Sequence, residues 1–136
     1  RQGLVLDVEA GLAAKRHYFE QHRHDIGGID KVLDVFHAYH GKLPIGAGTG
    51  GGRNNATFVL KNIGIYHLID ALVTADDVEH PKPSPETFIK CAQQLGVAPA
   101  GCLVFEDGNF GLQAAEAAGM KAIDVRPFIP VHDYSA

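Results

Sequence analysis

The run Cys102-Leu103-Val104-Phe105-Glu106-Asp107-Gly108-Asn109-Phe110-Gly111 passes from apolar residues to two adjacent carboxylates, then to glycines that open an alanine-rich segment ending at Gly119. Its pattern reads as strand, acidic tip and helix. In an α/β sheet, strand tips of this kind hold ligands. Side-by-side carboxylates repel unless a cation or a proton settles their charge, and their hard oxygens suit Mg²⁺. Taken alone, the pair is equally what a solvated loop would carry.

The same alternation extends upstream. Leu43-Pro44-Ile45-Gly46-Ala47-Gly48 is a short strand that runs into Thr49-Gly50-Gly51-Gly52, and a helical pattern follows over residues 53–62, closed by Gly64. Residues 71–74 form the next strand, entering the acidic turn Asp76-Asp77. The loop His80-Pro81-Lys82-Pro83-Ser84-Pro85 is stiffened by prolines that limit where Lys82 can point. Ser84 then caps a helix with Pro85 at its first position, Phe88, Ile89, Ala92 and Leu95 on its core face, and Gly96 at its end. After the acidic tip come a helix over 109–118 and a strand over 122–125. The expected fold class is therefore α/β, a Rossmann-like, mostly parallel sheet with helices on both faces.

Size and composition fit that class. At 136 residues, 46% hydrophobic and 21% charged, the chain has the material for one soluble core. A formal charge of -4 without a basic cluster points away from nucleic acid and anionic membrane surfaces as partners. There is no apolar run of membrane length and no pattern of a signal peptide, so a cytoplasmic protein is expected. Cys91 and Cys102 read as small buried hydrophobes. His17, His22 and His24 cluster on a polar helical pattern, but no acid or cysteine completes a metal-ligand spacing around them.

Two readings compete at the N-terminus. Residues 4–23 space Leu4, Val5, Val8, Leu12, Ala13, Tyr18 and Phe19 as an amphipathic helix would. Gly3-Leu4-Val5-Leu6-Asp7-Val8 is equally a short buried strand ending in an acid. Further on, Asp30 is placed to cap a helix with Val32, Val35, Phe36 and Tyr39 on its core face and Gly41 beyond its end.

In a parallel sheet the strand C-termini share one edge, so Thr49, Gly50, Lys82, Glu106 and Asp107 converge there. The set suits phosphate. Thr49 and the backbone N–H groups after it can donate to phosphoryl oxygens, Lys82 supplies a point charge, and Glu106 with Asp107 can hold Mg²⁺ against the same oxygens. Each residue also has a plainer role, Thr49 in a turn and Lys82 as a solvated cation, so the joint placement carries the argument.

Gly48-Thr49-Gly50, Lys82-Pro83-Ser84-Pro85-Glu86-Thr87-Phe88 and Val104 to Gly111 with Ala117-Ala118-Gly119-Met120 resemble motifs two, three and four of the haloacid dehalogenase superfamily. More narrowly they resemble its β-phosphoglucomutase-like branch, which includes fructose-1-phosphatase-like sugar phosphatases. The resemblance spans residues 29–126. It implies Mg²⁺, a sugar phosphate or similar phosphorylated small molecule as substrate, and phosphoryl transfer through an aspartyl-phosphate. It further implies that Thr49 binds the phosphoryl group with Gly50, that Lys82 stabilises its charge, and that Glu106 and Asp107 serve the metal.

The family's first motif, an apolar strand followed by Asp-x-Asp-Gly-Thr, does not occur. Residues 1–28 are accordingly expected to be a helical remnant of a cap and residues 29–136 an incomplete Rossmann-like core. The chain is expected to lack an N-terminal portion and to be inactive as it stands, for want of a nucleophile. In the family the missing strand is central, and its slot must be filled by residues 3–8, which would put Asp7 and Glu9 where the two acids belong, or by a swapped strand or homodimer. Two other functions compete with the enzyme: a non-catalytic phosphate, Mg²⁺ or protein-binding module, and a dinucleotide-binding domain. The last rests on Gly46-x-Gly48-x-x-Gly51, which lies between strand and helix but lacks a well-placed acid about 20 residues on.

Overall fold

The computed structural model describes residues 2–7 and 28–128. Five strands, β1 (Gly3–Asp7), β2 (Ile45–Gly48), β3 (Ala71–Val73), β4 (Cys102–Glu106) and β5 (Lys121–Asp124), form one sheet in the order β3-β2-β1-β4-β5. Every pairing is parallel. Among the described residues four α-helices accompany them: α1 (Gly28–Tyr39), α2 (Arg53–Asn62), α3 (Glu86–Leu95) and α4 (Asn109–Ala117). The expected α/β, Rossmann-like architecture is the one observed. Among the described residues no helix is long and apolar enough to cross a membrane.

The N-terminal helix expectation is corrected at residues 4–7, which belong to the central strand. Leu4 pairs with Ile45 and Leu103, Val5 with Gly46 and Val104, and Leu6 with Ala47 and Phe105. The physical reason is non-local: without β1, strands β2 and β4 would each leave a row of buried N–H and C=O groups unpaired. Leu4, Val5 and Leu6 are almost wholly buried, as a continuous apolar run in a parallel sheet should be. The central slot is thus filled by residues 3–7 of the chain itself, without a swapped strand or a second copy. The remainder of the expected helix, together with Glu9, His17, His22 and His24, lies outside the described residues.

Side-chain alternation along β1 divides the core. Val5 faces a layer with Phe88, Cys91, Ala92 and Leu95 of α3 and Ala114 and Ala115 of α4. Leu4 and Leu6 face the other layer, with Phe36 of α1 and Val59 and Leu60 of α2. Phe36 meets Phe105 edge-on, ring centroids 5.3 Å apart. Gly46 of β2 admits α3 closely, since a Cβ there would come within 2.3 Å of the Cys91 sulfur. Helix ends follow local chemistry: the Ser84 hydroxyl accepts the Glu86 N–H at 3.3 Å, and Gly96 takes the left-handed conformation at φ 68°. Among the described residues α1 is already helical at Gly28, so Asp30 lies inside it rather than at its cap, and Tyr39 is exposed rather than on the core face.

Candidate active site

The register gathers the predicted residues at the C-terminal edge of the sheet. Asp7, the last residue of β1, pairs with Gly48, and on its other side it lies one step past the Leu6–Phe105 pair, where β4 carries Glu106. Thr49 follows β2 directly and is 2% exposed. Its N–H donates to the Val73 carbonyl at 3.0 Å, and its hydroxyl accepts the Gly51 N–H at 3.0 Å. That turn presents Gly50 at the mouth of an open cleft of about 500 Å³, lined also by Lys82, Glu106, Asp107, Gly108, Asn109, Phe110 and Gly111. Of the five predicted residues, four line one cleft, and the fifth, Thr49, is buried next to Gly50 at the end of β2.

Lys82 and Glu106 form the inner wall. The Lys82 ammonium lies 3.8 Å from the Glu106 carboxylate, and both side chains are mostly buried, 11% and 3% exposed. It also sits 4.9 Å above the ring of Phe88, on the first turns of α3. The other carboxylate oxygen of Glu106 accepts the N–H groups of Asp107 and Gly108, each at 3.1 Å. The two N–H donors and the ammonium hold this buried carboxylate from both sides, and its oxygens in turn keep Lys82 in place. Gly111 completes the pocket for this carboxylate: a Cβ at that position would stand 1.9 Å from Glu106 Cδ.

Supporting contacts fix the surrounding loops. Asp77 accepts the Thr74 N–H and hydroxyl, at 2.8 and 3.0 Å, and pairs with Arg53 at 2.7 Å. The Thr74 N–H is the main cause holding the Asp77 carboxyl below its usual range. At the far side, Arg126 grips Asp124 with two nitrogens, at 2.9 and 2.7 Å, and this pair pushes the guanidinium pKa up, with smaller help from the charges of Asp107 and Glu106. The sequence pattern assigns no role at the cleft to Phe88, Glu86, Gly111 or Arg126. Gly111 did leave a signal, because a glycine within a helix costs about 1 kcal/mol and calls for a reason.

A protein-family model for haloacid dehalogenase-like hydrolases matches residues 4–119. The chain belongs to this family. It is 50% identical over 95 residues to the fructose-1-phosphate phosphatase YqaB of Escherichia coli, a match covering 70% of this chain and 50% of the relative. The solved β-phosphoglucomutase of Clostridium difficile superposes with a TM-score of 0.63 at 26% identity, over 82% of this chain and 48% of that one. CbbY of Rhodobacter sphaeroides, solved in complex with phosphate, shares the fold with a TM-score of 0.68 at 16% identity, over 90% of this chain and 85% of that one. The chain spans half the length of its E. coli relative.

The family implies Mg²⁺, and the fit can be judged on the donors. Among the described residues no three His, Cys, Asp or Glu side chains gather as a closed metal cage. Mg²⁺ does not need one: it is held by one or two carboxylates, with waters and phosphate oxygens completing its shell. Glu106 and Asp107 at the cleft wall supply oxygen donors of that type.

Proposed function

We propose that the cleft binds a phosphorylated small molecule, a sugar phosphate, and acts on its phosphoryl group. The observation that carries this reading is the buried Lys82–Glu106 pair at the wall of a cleft into which Gly50 and Asp107 also open. In it, Lys82 and the Gly50 N–H meet the phosphoryl oxygens, with Thr49 holding the turn through its bonds to Val73 and Gly51. Glu106 and Asp107 would hold Mg²⁺, which when bound supplies positive charge at the phosphate.

Asp7 is the proposed nucleophile, on the strength of its position at the end of the central strand beside Gly48. Its carboxylate oxygen would form a bond to phosphorus as the bond to the sugar oxygen breaks, and the departing oxygen would take a proton. Water would then release phosphate from the aspartyl group. The kinship with a fructose-1-phosphate phosphatase supports the substrate class.

A second reading, binding without turnover, is favoured by the sequence Asp7-Val8-Glu9-Ala10-Gly11, which lacks the second aspartate and the threonine of the family motif. A phosphate-release assay with fructose 1-phosphate and an aryl phosphate, with Mg²⁺, separates the two. Turnover that is lost in Asp7→Asn supports catalysis. Phosphate binding without turnover supports the binding module, and absence of both defeats the phosphate reading altogether.

The dinucleotide reading has little support in the geometry. Gly46 and Gly48 lie inside β2, where they admit Cys91 and Thr87 of α3.

A further inference from the structure

Lys82 sits in a loop whose two ends are tied by one residue. The Glu86 carboxylate accepts the main-chain N–H of Glu79 at 3.0 Å and that of His80 at 2.7 Å, securing the start of the loop. The Glu86 N–H donates to the Ser84 hydroxyl at 3.3 Å, securing its end, and Ser84 N–H closes the turn onto the Pro81 carbonyl. Lys90, one turn further along α3, approaches Glu86 at 3.7 Å and donates to the Asp77 carbonyl, binding the residue ahead of the loop to the same helix face. Phe88, between these two, carries the ring under the Lys82 ammonium.

We propose that Glu86 is a positioning residue for Lys82: by gathering the N–H groups of Glu79 and His80 it fixes the loop that holds the ammonium over Phe88 and against Glu106. Few other groups could do this. Two consecutive N–H donors of a non-repetitive segment need an acceptor that reaches both, and a carboxylate on a two-methylene stem does so from the helix start. A plainer role exists for an acid in the first turn of a helix, which is to favour the macrodipole. That role needs only charge, whereas the clamp needs reach, so the two separate on substitution.

The consequence for phosphate rests on the function proposed above, while the effect on Lys82 does not. Glu86→Asp keeps the charge at the start of α3 and shortens the reach by one methylene; Glu86→Gln keeps the reach and removes the charge. The lysine side-chain ammonium signals are followed by ¹H–¹⁵N spectroscopy, and affinity for inorganic phosphate with Mg²⁺ by calorimetry. The clamp predicts that Glu86→Asp loses the protected Lys82 signal and weakens phosphate binding about tenfold, with the signal of Lys61, over Tyr66, unchanged. A Glu86→Asp protein with the wild-type Lys82 signal would overturn the proposal, whatever its melting temperature. If wild type does not bind phosphate, the functional reading fails and the Lys82 signal still decides the role of Glu86.

Discussion

The Glu106 carboxylate fills the space that a Cβ on Gly111 would need, 1.9 Å from both Cδ and one of its oxygens. A glycine in the first turn of α4 is therefore matched to an acid at the tip of β4, five residues earlier. The carboxylate could evade a methyl group only by leaving the N–H groups of Asp107 and Gly108 and the Lys82 ammonium.

Gly111→Ala sets two effects of opposite sign against each other. Helix propensity favours alanine by about 1 kcal/mol. Overpacking against a held carboxylate costs about 1–3 kcal/mol, and the buried polar partners left behind add to that. The expected result is a net loss of stability in thermal unfolding, together with loss of phosphate affinity. A stabilised protein with intact phosphate binding would mean that Glu106 is free to move.

Lys82→Met leaves Glu106 buried and without its ammonium partner. Breaking a buried pair from one side costs about 3–5 kcal/mol. The two N–H donors to Glu106 moderate the loss, so about 3 kcal/mol is expected in denaturant unfolding. Lys82→Met with Glu106→Gln should recover much of it, because no unpaired charge remains; a double variant as unstable as the single one would show that packing and not charge set the cost.

The Cys91 thiol is pushed up to about 12, first by burial and then by the nearby Cys102. A raised folded-state value means the unfolded chain releases its proton first, near the ordinary 9.0. The stability this thiol contributes is therefore complete below pH 9 and is lost progressively as pH rises from 9 to 12, with a slope of up to about 1.4 kcal/mol per pH unit. Cys91→Ala should flatten that limb of the stability–pH curve. It should also make room for Gly46→Ala, whose Cβ would otherwise lie 2.3 Å from the sulfur.

The parts legible in the sequence were those set by local chemistry. The β4 tip, the glycine ends of helices and the proline loop around Lys82 declare themselves through residue type and spacing. Leu4, Val5 and Leu6 do not, because an apolar triplet serves a helix face or a buried strand equally well, and what decides between them is the gap between β2 and β4. Glu86 was equally hidden: its identity as an acid in a first turn is ordinary, and its two N–H partners become visible only when the loop doubles back. Tyr39 has the spacing of a core residue at the end of an amphipathic pattern, yet α1 ends there and its ring remains largely exposed.

The central place of β1 gives the last prediction. Five residues, Gly3–Asp7, supply pairing to two neighbours at once, and Val5 is fully buried between α3 and α4 on one face. Val5→Asp puts a carboxylate in that apolar layer without altering the helices on either side. An isolated buried charge is not tolerated, so the strand is expected to leave the sheet or the carboxyl to take up a proton. Expulsion would expose the edges of β2 and β4 to other copies of the chain, and sizing chromatography should show association at neutral pH. At pH 4 to 5, where the new carboxyl is more readily neutral, association should diminish. A monomer at neutral pH with wild-type amide-exchange protection across β2 and β4 would mean that these strands do not depend on β1, and the parallel five-stranded sheet would have to be redrawn.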